Sequence, residues 1–207
     1  MSYRVKEVFY SIQGEGVRSG QAAVFCRFSG CNRSREKETP LSCPFCDTDF
    51  LGTDGPGGGV FDGPQSLADH LVSFWPQDRS GEPYLIFTGG EPALQLDEPL
   101  LRAVKEKGFS TAVETNGSLP LPPGLEWITV SPKPGSSLRI SQGDELKLLF
   151  PIGLDPEDFK KLRFDHFLLQ PVSGPDFQAS ARACYDYILE HPSWRLSLQL
   201  HRILNVK

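Results

Sequence analysis

Tyr84-Leu85-Ile86-Phe87-Thr88-Gly89-Gly90-Glu91-Pro92 is an apolar run typical of a buried strand that leads directly into a polar, glycine-rich turn. The pattern recurs downstream, where the apolar runs 110–113, 127–130 and 166–169 lead into the polar turns 114–117, 131–133 and 170–174. In parallel α/β folds the carboxyl ends of the strands meet at one edge, where ligands bind. Four polar turns at that edge predict a ligand with several distinct parts.

Helical patterns alternate with the apolar runs. Ser66 is predicted to cap one helix, Asp97 a second that stops at Gly108, and a third is predicted from about Asp176 to His191. Further strands are predicted at Glu145–Phe150 and, from its period-2 alternation, at Arg195–Leu204. The glycine-rich segment Gly52–Gly59 is predicted to be a flexible connector. About six parallel strands are too few for a complete eight-unit barrel. We therefore expect an α/β fold, either an incomplete parallel barrel or an open sheet.

The charge balance excludes some classes of protein. The chain has 207 residues, with 21 Lys and Arg against 26 Asp and Glu, and a formal net charge of −5. An acidic chain lacks the basic footprint of a nucleic-acid binder, and its apolar runs are too short to span a bilayer. The first seven residues carry no apolar export signal. We expect a cytoplasmic protein that contacts neither nucleic acid nor membrane.

Five cysteines at positions 26, 31, 43, 46 and 184 form an odd set that favours reduced thiols and metal ligation over disulfides. Cys31-x11-Cys43-x2-Cys46 can supply three thiolates to a [4Fe–4S] cluster, which leaves one iron open to the amino and carboxylate groups of a methionine moiety. The alternative is a structural zinc site that Cys26 completes. Cys26 and Cys184 lie in apolar surroundings that are typical of buried thiols.

The Gly89-Gly90-Glu91-Pro92 turn allows a ligand to approach the backbone closely and offers a carboxylate to an ammonium group, although an ordinary strand-to-helix turn has the same composition. Joined to the three cysteines, it resembles the radical S-adenosylmethionine (SAM) superfamily. The closest resemblance is to the 7-carboxy-7-deazaguanine synthase family of the queuosine (deazapurine) pathway. The motifs that carry it are SIQGEG (11–16), FCRFSGCN (25–32), CPFCDT (43–48), TGGEP (88–92), ETNG (114–117), SPK (131–133) and QLH (199–201). The chain departs from most of the superfamily in having eleven residues, rather than three, between the first two cysteines.

The resemblance implies roles for individual residues. Cys31, Cys43 and Cys46 would hold the cluster, and Thr48 would bind Mg²⁺. SAM would be bound by Phe45, Cys46, Asp47, Gly90, Glu91, Ser131, Pro132, Lys133, Gln170, Pro171, Val172 and Ser173. Substrate would be bound by Ile12, Gln13, Gly14, Glu15, Arg27, Thr88 and Lys207, with His201 nearby. The alternatives are core packing for Phe45, a structural ion pair for Arg27, a solvated side chain for Lys133 and a structural role for His201.

The resemblance also implies a fold and a reaction. The fold would be an incomplete (βα)6-type barrel formed by one radical SAM domain over residues 1–207, with the cluster loop and an insertion at 31–63. The enzyme would be a lyase that uses SAM and Mg²⁺ for the radical ring contraction of 6-carboxy-5,6,7,8-tetrahydropterin to 7-carboxy-7-deazaguanine, with release of ammonia. The expected partners are a one-electron donor such as flavodoxin and a second copy of the chain in a homodimer.

Three other functions remain open from the sequence. A radical SAM activase of a glycyl-radical enzyme would share the cluster and SAM but would act on a protein. A radical SAM enzyme for another heterocycle would keep the cofactors and change the substrate. A zinc-binding, non-enzymatic module would make Gly90 and Glu91 incidental.

Overall fold

The computed structural model describes residues 2–33, 43, 46–78 and 80–207. The strands in these residues are β1 (Ser2–Ile12), β2 (Ala22–Phe28), β3 (Gly59–Asp62), β4 (Tyr84–Gly89), β5 (Ser110–Thr115), β6 (Trp127–Val130), β7 (Gln142–Phe150), β8 (Arg163–Pro171) and β9 (Trp194–Leu196). The helices are α1 (Pro64–Val72), α2 (Glu98–Glu106), α3 (Phe177–Glu190) and α4 (Leu200–Ile203), with 3₁₀ turns at Pro92–Leu94 and Pro156–Phe159. None of the described helices has the length and apolar character needed to cross a bilayer.

The described strands form one sheet in the order β3-β1-β2-β4-β5-β6-β7-β8-β9. From β2 through β9 every neighbouring pair is parallel, whereas β1 runs antiparallel to both β2 and β3. The sheet ends at β3 and β9 and does not close on itself. This mostly parallel, unclosed α/β sheet confirms the predicted incomplete barrel.

The two faces of the sheet differ because successive side chains of a strand point in opposite directions. In β4, Leu85 and Phe87 belong to the core that packs under α1 and α2, while Tyr84 and Ile86 belong to a smaller cluster on the opposite face. A third cluster lies around β7, β8 and α3, where Cys184 is fully buried. The helices therefore cover one face of the sheet and leave the other available for a ligand.

The predicted strands at β4 to β8 and all three predicted helices are confirmed. Asp97 caps α2, since its side chain accepts a hydrogen bond of 3.0 Å from the backbone N–H of Leu100. That helix ends at Glu106, two residues before Gly108, which has a positive φ of 87°. A proline near the first position of the helix and a glycine beyond its last turn are favourable at these ends.

Other predictions were wrong. Ser66 does not cap α1, because Pro64 begins the helix and Gly63 occupies the cap position without a side-chain hydrogen bond. The predicted strand Arg195–Leu204 ends at Leu196, and Leu200–Ile203 is helical. Its alternation was misleading because Ser197 Oγ is held by Gly16 and Gln170, and the chain turns at that point.

Strands β1, β2 and β3 were missed, and with them the antiparallel part of the sheet. Gly52–Gly59 does not behave as a flexible connector, since its backbone packs along β1. Gly55 N–H donates to Lys6 O at 3.0 Å, and Val8 N–H donates to Pro56 O at 2.9 Å. A Cβ at Gly55 would lie 2.7 Å from Lys6 O, so glycine here permits a close approach of two backbones.

Candidate active site

A cavity of about 510 Å³ lies at the carboxyl ends of the parallel strands. Successive strands contribute to its wall through Thr88 at the end of β4, Glu114 in β5, Lys147 in β7 and Gln170 in β8. In β2, Phe25 and Arg27 line the cavity, whereas Cys26 between them points into the helix-covered core. The polar turns predicted to meet at one edge of the sheet therefore do so.

Most of the predicted site residues line this cavity. They are Ile12, Gln13, Gly14, Glu15, Arg27, Cys43, Cys46, Asp47, Thr48, Thr88, Gly90, Ser131, Lys133, Gln170, Val172, Ser173, His201 and Lys207. Cys31, Glu91, Pro132 and Pro171 are not part of the wall. Phe45, predicted to pack against adenine, lies outside the described residues. The structure thus brings together residues from all the predicted motifs.

Glu91 lies behind the wall and is fully buried. One carboxylate oxygen accepts hydrogen bonds from Thr115 Oγ1 at 2.6 Å and Ala93 N–H at 3.0 Å, and the other accepts from Asn116 N–H at 2.8 Å. Burial raises the pKa of Glu91, while these hydrogen bonds act in the opposite direction. The carboxylate therefore joins the turn after β4 to the turn after β5.

Three of the five cysteines are partly exposed, and they are the three of the predicted cluster motif. Cys46 N–H donates to Cys43 O at 3.0 Å. Burial raises the pKa of Cys31 most, the backbone N–H of Arg33 opposes that rise, and the nearby Glu91, Cys46 and Cys43 add to it. Cys26 is instead fully buried in the core, away from the cavity, which does not support its use as a fourth ligand.

The surroundings of Cys31 fit an anionic iron–sulfur cluster in two respects. The Arg33 side chain is 5% exposed and donates through Nη2 to Pro134 O at 2.7 Å, but its Nε and Nη1 have no partner among the described residues. A buried guanidinium without a counter-charge is costly, and an anion nearby would relieve that cost. A Cβ at Gly90 would overlap Gly30 O and lie 2.6 Å from Cys31 Cβ, so glycine keeps the approach to this cysteine open.

The cysteine side chains do not by themselves form a closed metal site. Within the described ranges, no group of three or more His, Cys, Asp or Glu side chains is close enough together to hold a metal ion. The donor types nevertheless suit the group that the motif predicts, since Cys thiolates are the usual ligands of iron–sulfur clusters. Metal binding would also deprotonate Cys31, although burial raises the pKa of its thiol.

A buried charge network forms another part of the wall. Lys147 Nζ contacts Glu15 Oε2 and lies 3.1 Å from Glu114 Oε2. Gln13 Nε2 donates to Glu114 Oε1 at 3.0 Å, and Gln199 Nε2 donates to Glu15 Oε1 at 2.7 Å. Side chains from four separate parts of the sequence are thereby joined in one network.

The pKa values in this network follow from burial and from the ammonium group. Burial alone would raise the pKa of Glu15, but the charge and hydrogen bond of Lys147 outweigh it and hold that pKa well below its usual range. Burial raises the pKa of Glu114 despite Lys147, and the Glu15 and Glu145 carboxylates raise it further. Burial would lower the pKa of Lys147, but Glu114 and Glu15 together raise it.

Other cations on the wall have anionic or polar partners. Arg27 Nε donates to Glu7 Oε1 at 2.9 Å, and Lys207 Nζ contacts the second oxygen of the same carboxylate. Lys133 Nζ donates to Ser131 Oγ at 2.6 Å, and burial lowers the pKa of Lys133. Arg27 thus forms an ion pair with Glu7, as its alternative structural role predicted, and it also lies on the cavity wall.

Three residues on the cavity wall were not predicted as site residues: Lys147, Glu114 and Gln199. A signal for Lys147 is present in the strand sequence: Glu145 and Lys147 share one face of β7, while Leu146 and Leu148 occupy the other and lie in the core. Two charged residues on one face of a buried strand indicate either a paired structural charge or a site. The pairing partners come from distant segments, which the pattern within one strand cannot identify.

The open parallel sheet, with a polar cavity at its strand ends and partly exposed thiols at the wall, defines an α/β enzyme built for a complex ligand. No family model matches the chain. It is 51% identical over 213 residues to a 7-carboxy-7-deazaguanine synthase of Bordetella pertussis and 50% identical over 216 residues to one of Nitratidesulfovibrio vulgaris, each match covering both sequences completely.

A solved structure agrees with these relatives. The crystal structure of QueE from Escherichia coli superposes with a TM-score of 0.72 at 26% identity, covering 97% of this chain and 95% of that one. The chain belongs to the 7-carboxy-7-deazaguanine synthase family, whose members are radical SAM enzymes that catalyse a ring contraction. This assignment decides against the glycyl-radical activase and the zinc-binding module that the sequence left open.

Proposed function

We propose that this chain converts 6-carboxy-5,6,7,8-tetrahydropterin to 7-carboxy-7-deazaguanine with release of ammonia. The observation that carries the proposal is the composition of one cavity wall, which combines the thiols of Cys43 and Cys46 with the buried charges of Glu15, Glu114 and Lys147. Thiols suit a redox cofactor, and a fixed set of acceptors and donors suits a polar heterocycle. The relatives named for this product support the same conclusion.

The cofactors of this proposal are a [4Fe–4S] cluster on Cys31, Cys43 and Cys46, SAM, and Mg²⁺ at Thr48. When bound, the cluster and SAM supply the 5′-deoxyadenosyl radical that abstracts a hydrogen atom from the substrate. SAM is held by Asp47, Gly90, Glu91, Ser131, Pro132, Lys133 and the 170–173 turn, with Phe45 against its adenine. The glycine at position 90 and the buried ammonium of Lys133 support this placement.

Substrate is held by the other residues of the wall. Arg27 binds its carboxylate, because a guanidinium offers paired donors to that group and Glu7 fixes the guanidinium in place. Gln13 and Glu15 face the ring, together with Ile12, Gly14, Thr88 and Lys207. Fixed polar groups orient the ring without having to reorganise, and enclosure by the sheet excludes water from the reacting atoms.

The proposal extends to the domain and its partners. Residues 1–207 constitute one radical SAM domain with the cluster loop and insertion at 31–63, supported by a sheet that runs from Ser2 to Leu196. An external one-electron donor such as flavodoxin supplies the electron for the cluster, and two copies form a homodimer. The reaction takes place in the cytoplasm, where thiols stay reduced.

The test is an anaerobic incubation of the reconstituted protein with reductant, SAM, Mg²⁺ and the carboxytetrahydropterin, followed by mass analysis. We expect about four irons per chain and formation of the deazapurine. Cys43→Ala should lose iron and activity, whereas Cys184→Ala, which alters a buried core thiol, should keep both. Formation of 5′-deoxyadenosine without any deazapurine would overturn the substrate assignment.

A further inference from the structure

Lys147 carries a buried positive charge that the proposed reaction does not use directly. Its side chain is 5% exposed, and its Nζ contacts one oxygen each of Glu15 and Glu114. A third carboxylate, Glu145, lies on the same face of β7 and contributes to raising the pKa of Lys147. Two carboxylates thus contact one ammonium at the cavity wall, and a third lies close to it.

The hydrogen bonds of this network fix both carboxylates that line the cavity. Each has one oxygen on Lys147 and the other on an amide, Gln199 for Glu15 and Gln13 for Glu114. A carboxylate oxygen can accept more than one hydrogen bond, so each retains acceptor capacity. Glu145 is directed elsewhere, since its oxygens accept from Val17 N–H at 2.8 Å and Thr129 Oγ1 at 3.2 Å.

We propose that Lys147 is a positioning residue that holds Glu15 and Glu114 side by side as paired acceptors for the donor edge of the substrate heterocycle. An amino group next to a ring N–H presents two adjacent donors of the kind that two fixed carboxylates can accept. Removing the ammonium would leave two close, desolvated carboxylates that cannot both stay ionised. This inference rests on the proposed function and adds a role that acts on binding rather than on the radical step.

The network also has an excess of negative charge that favours this ligand. Two carboxyl groups, Glu15 and Glu114, contact the single ammonium of Lys147, and a third, Glu145, lies beside them on β7. Other ionisable groups near the network are Lys133, which follows β6, and His201 in α4. Tyr84 in β4 interacts with Glu114 and Glu145, and Arg18 lies over its ring. Buried charge that the protein does not pair is costly, and donors from a bound heterocycle would offset that cost.

The test compares Lys147→Met with Lys147→Arg. The matched control is Lys105→Met, because Lys105 in α2 forms a partly exposed ion pair with Glu126. We expect Lys147→Met to raise KM for the pterin by about 30-fold with a smaller change in kcat, as for the loss of a charge-assisted hydrogen bond. Lys147→Arg and the control should stay within a few-fold of the unaltered protein. Iron content and SAM cleavage without pterin should not change.

The pH profile separates positioning from a merely structural role. In Lys147→Met, loss of the ammonium should raise the pKa of the Glu15 and Glu114 pair, because two close carboxylates cannot both stay ionised. KM should then fall as the pH rises, while the unaltered protein shows a flatter profile. The double variant Lys147→Met/Glu114→Gln, which removes the repulsion, should be better folded than the single variant and should lack that pH dependence. If Lys147→Met folds poorly, KM and its pH profile are compared between this double variant and Lys147→Arg instead.

Two outcomes would overturn the inference. One is a rise in KM that is the same at every pH and is shared by Lys147→Arg, which would make Lys147 a structural residue. The other is an unchanged KM in Lys147→Met. If the unaltered protein itself forms no deazapurine, the proposed function fails instead, and equilibrium dialysis of the pterin with each variant still measures whether Lys147 supports binding.

Discussion

At Gly90 the lack of a side chain lets the turn after β4 pack against the loop that carries Cys31. A Cβ there would overlap Gly30 O, and Glu91 N–H donates to that same oxygen at 3.0 Å. Gly89 has a related role, since a Cβ on it would lie 2.8 Å from the backbone N of Phe28 at the end of β2. Both glycines are needed because two backbones meet at this point.

Gly90→Ala should therefore destabilise the protein by about 1–3 kcal/mol, as expected for overpacking against atoms that cannot move freely. It should also weaken SAM binding, because the added methyl group lies next to Cys31. The matched control is Gly59→Ala in β3, where a Cβ would make ordinary contacts of 3.5 Å with Phe61. Urea denaturation and anaerobic SAM binding measure both effects, and equal results for the two variants would contradict the explanation.

Glu91→Gln tests the buried carboxylate that joins the turns after β4 and β5. Its oxygens accept three hydrogen bonds, and a glutamine amide would turn a donor toward Asn116 N–H or toward Thr115 and Ala93. We expect a loss of about 1–3 kcal/mol in the free energy of unfolding, because a buried polar group would be left unpaired. Glu106→Gln on the exposed side of α2 should change it by less than about 0.5 kcal/mol.

At the residue scale, predictability depends on how local the pattern is. The cysteines and the Gly-Gly-Glu-Pro turn were found because their spacing is distinctive within a few residues, and Cys43, Cys46 and Gly90 do line the cavity. Lys147 and Glu114 were missed because the sequence of each strand does not show what its charged residues pair with. Their meaning appears only when the fold brings them within hydrogen-bond distance of each other.

At the scale of elements, helix α2 shows how one cap combines local and distant contacts. Asp97 Oδ1 accepts from Leu100 N–H within the helix and from the Tyr3 hydroxyl at 2.7 Å, which links the helix to β1. The local half of this arrangement was predictable from sequence. The Tyr3 contact spans 94 residues and was not.

Asp97→Ala should lower the free energy of unfolding by about 1–2 kcal/mol, since it removes a helix cap and leaves the buried Tyr3 hydroxyl without its acceptor. Ser66→Ala in the first turn of α1 is the control. Because Ser66 is exposed and Gly63 occupies the cap position, we expect a change below about 0.5 kcal/mol. A large effect of Ser66→Ala, measured by urea denaturation, would contradict the observed start of α1.

The errors in element prediction have two physical causes. Parallel strands β4 to β8 are buried on both faces or lead into polar turns, so their apolar runs stand out in the sequence. Strand β1 pairs antiparallel and carries charged residues such as Lys6 and Glu7 on the cavity side, which hides its strand character. The Arg195–Leu204 run fails in the opposite way, since its alternation continues after the chain has left the sheet.

At the scale of the whole molecule, the cavity is closed by contacts between distant parts of the sequence. Gln199 reaches Glu15, Arg202 pairs with Asp47, and Lys207 pairs with Glu7. The alternation of strands and helices predicted the parallel sheet and the edge at which the cavity lies. It could not predict which residues of the final segment cross that edge, because no periodic pattern records such contacts.

Glu7 forms ion pairs with both Arg27 and Lys207, and these predict how the free energy of unfolding depends on pH. Burial would raise the pKa of Glu7, but hydrogen bonds from Lys207 and Arg27 outweigh it and lower that pKa below its ordinary value of 4.5. A lowered folded pKa gives stability that is present above the ordinary value and is lost as the pH falls through the folded one. Glu7→Gln removes this contribution. At neutral pH we expect it to cost about 1–2 kcal/mol, with most of the effect coming from Arg27, because Lys207 is more exposed.

The difference in unfolding free energy between the unaltered protein and Glu7→Gln should begin to shrink as the pH falls toward 4.5, and it should vanish below the lowered pKa of Glu7. Urea denaturation at a series of pH values measures this difference, and the titration of all other carboxyls cancels between the two proteins. Glu98→Gln, which breaks the exposed i,i+4 pair with Arg102, should show a difference below about 0.5 kcal/mol at every pH. A difference for Glu7→Gln that stays constant on acidification would mean that the carboxylate charge does not hold β1, β2 and the final segment together.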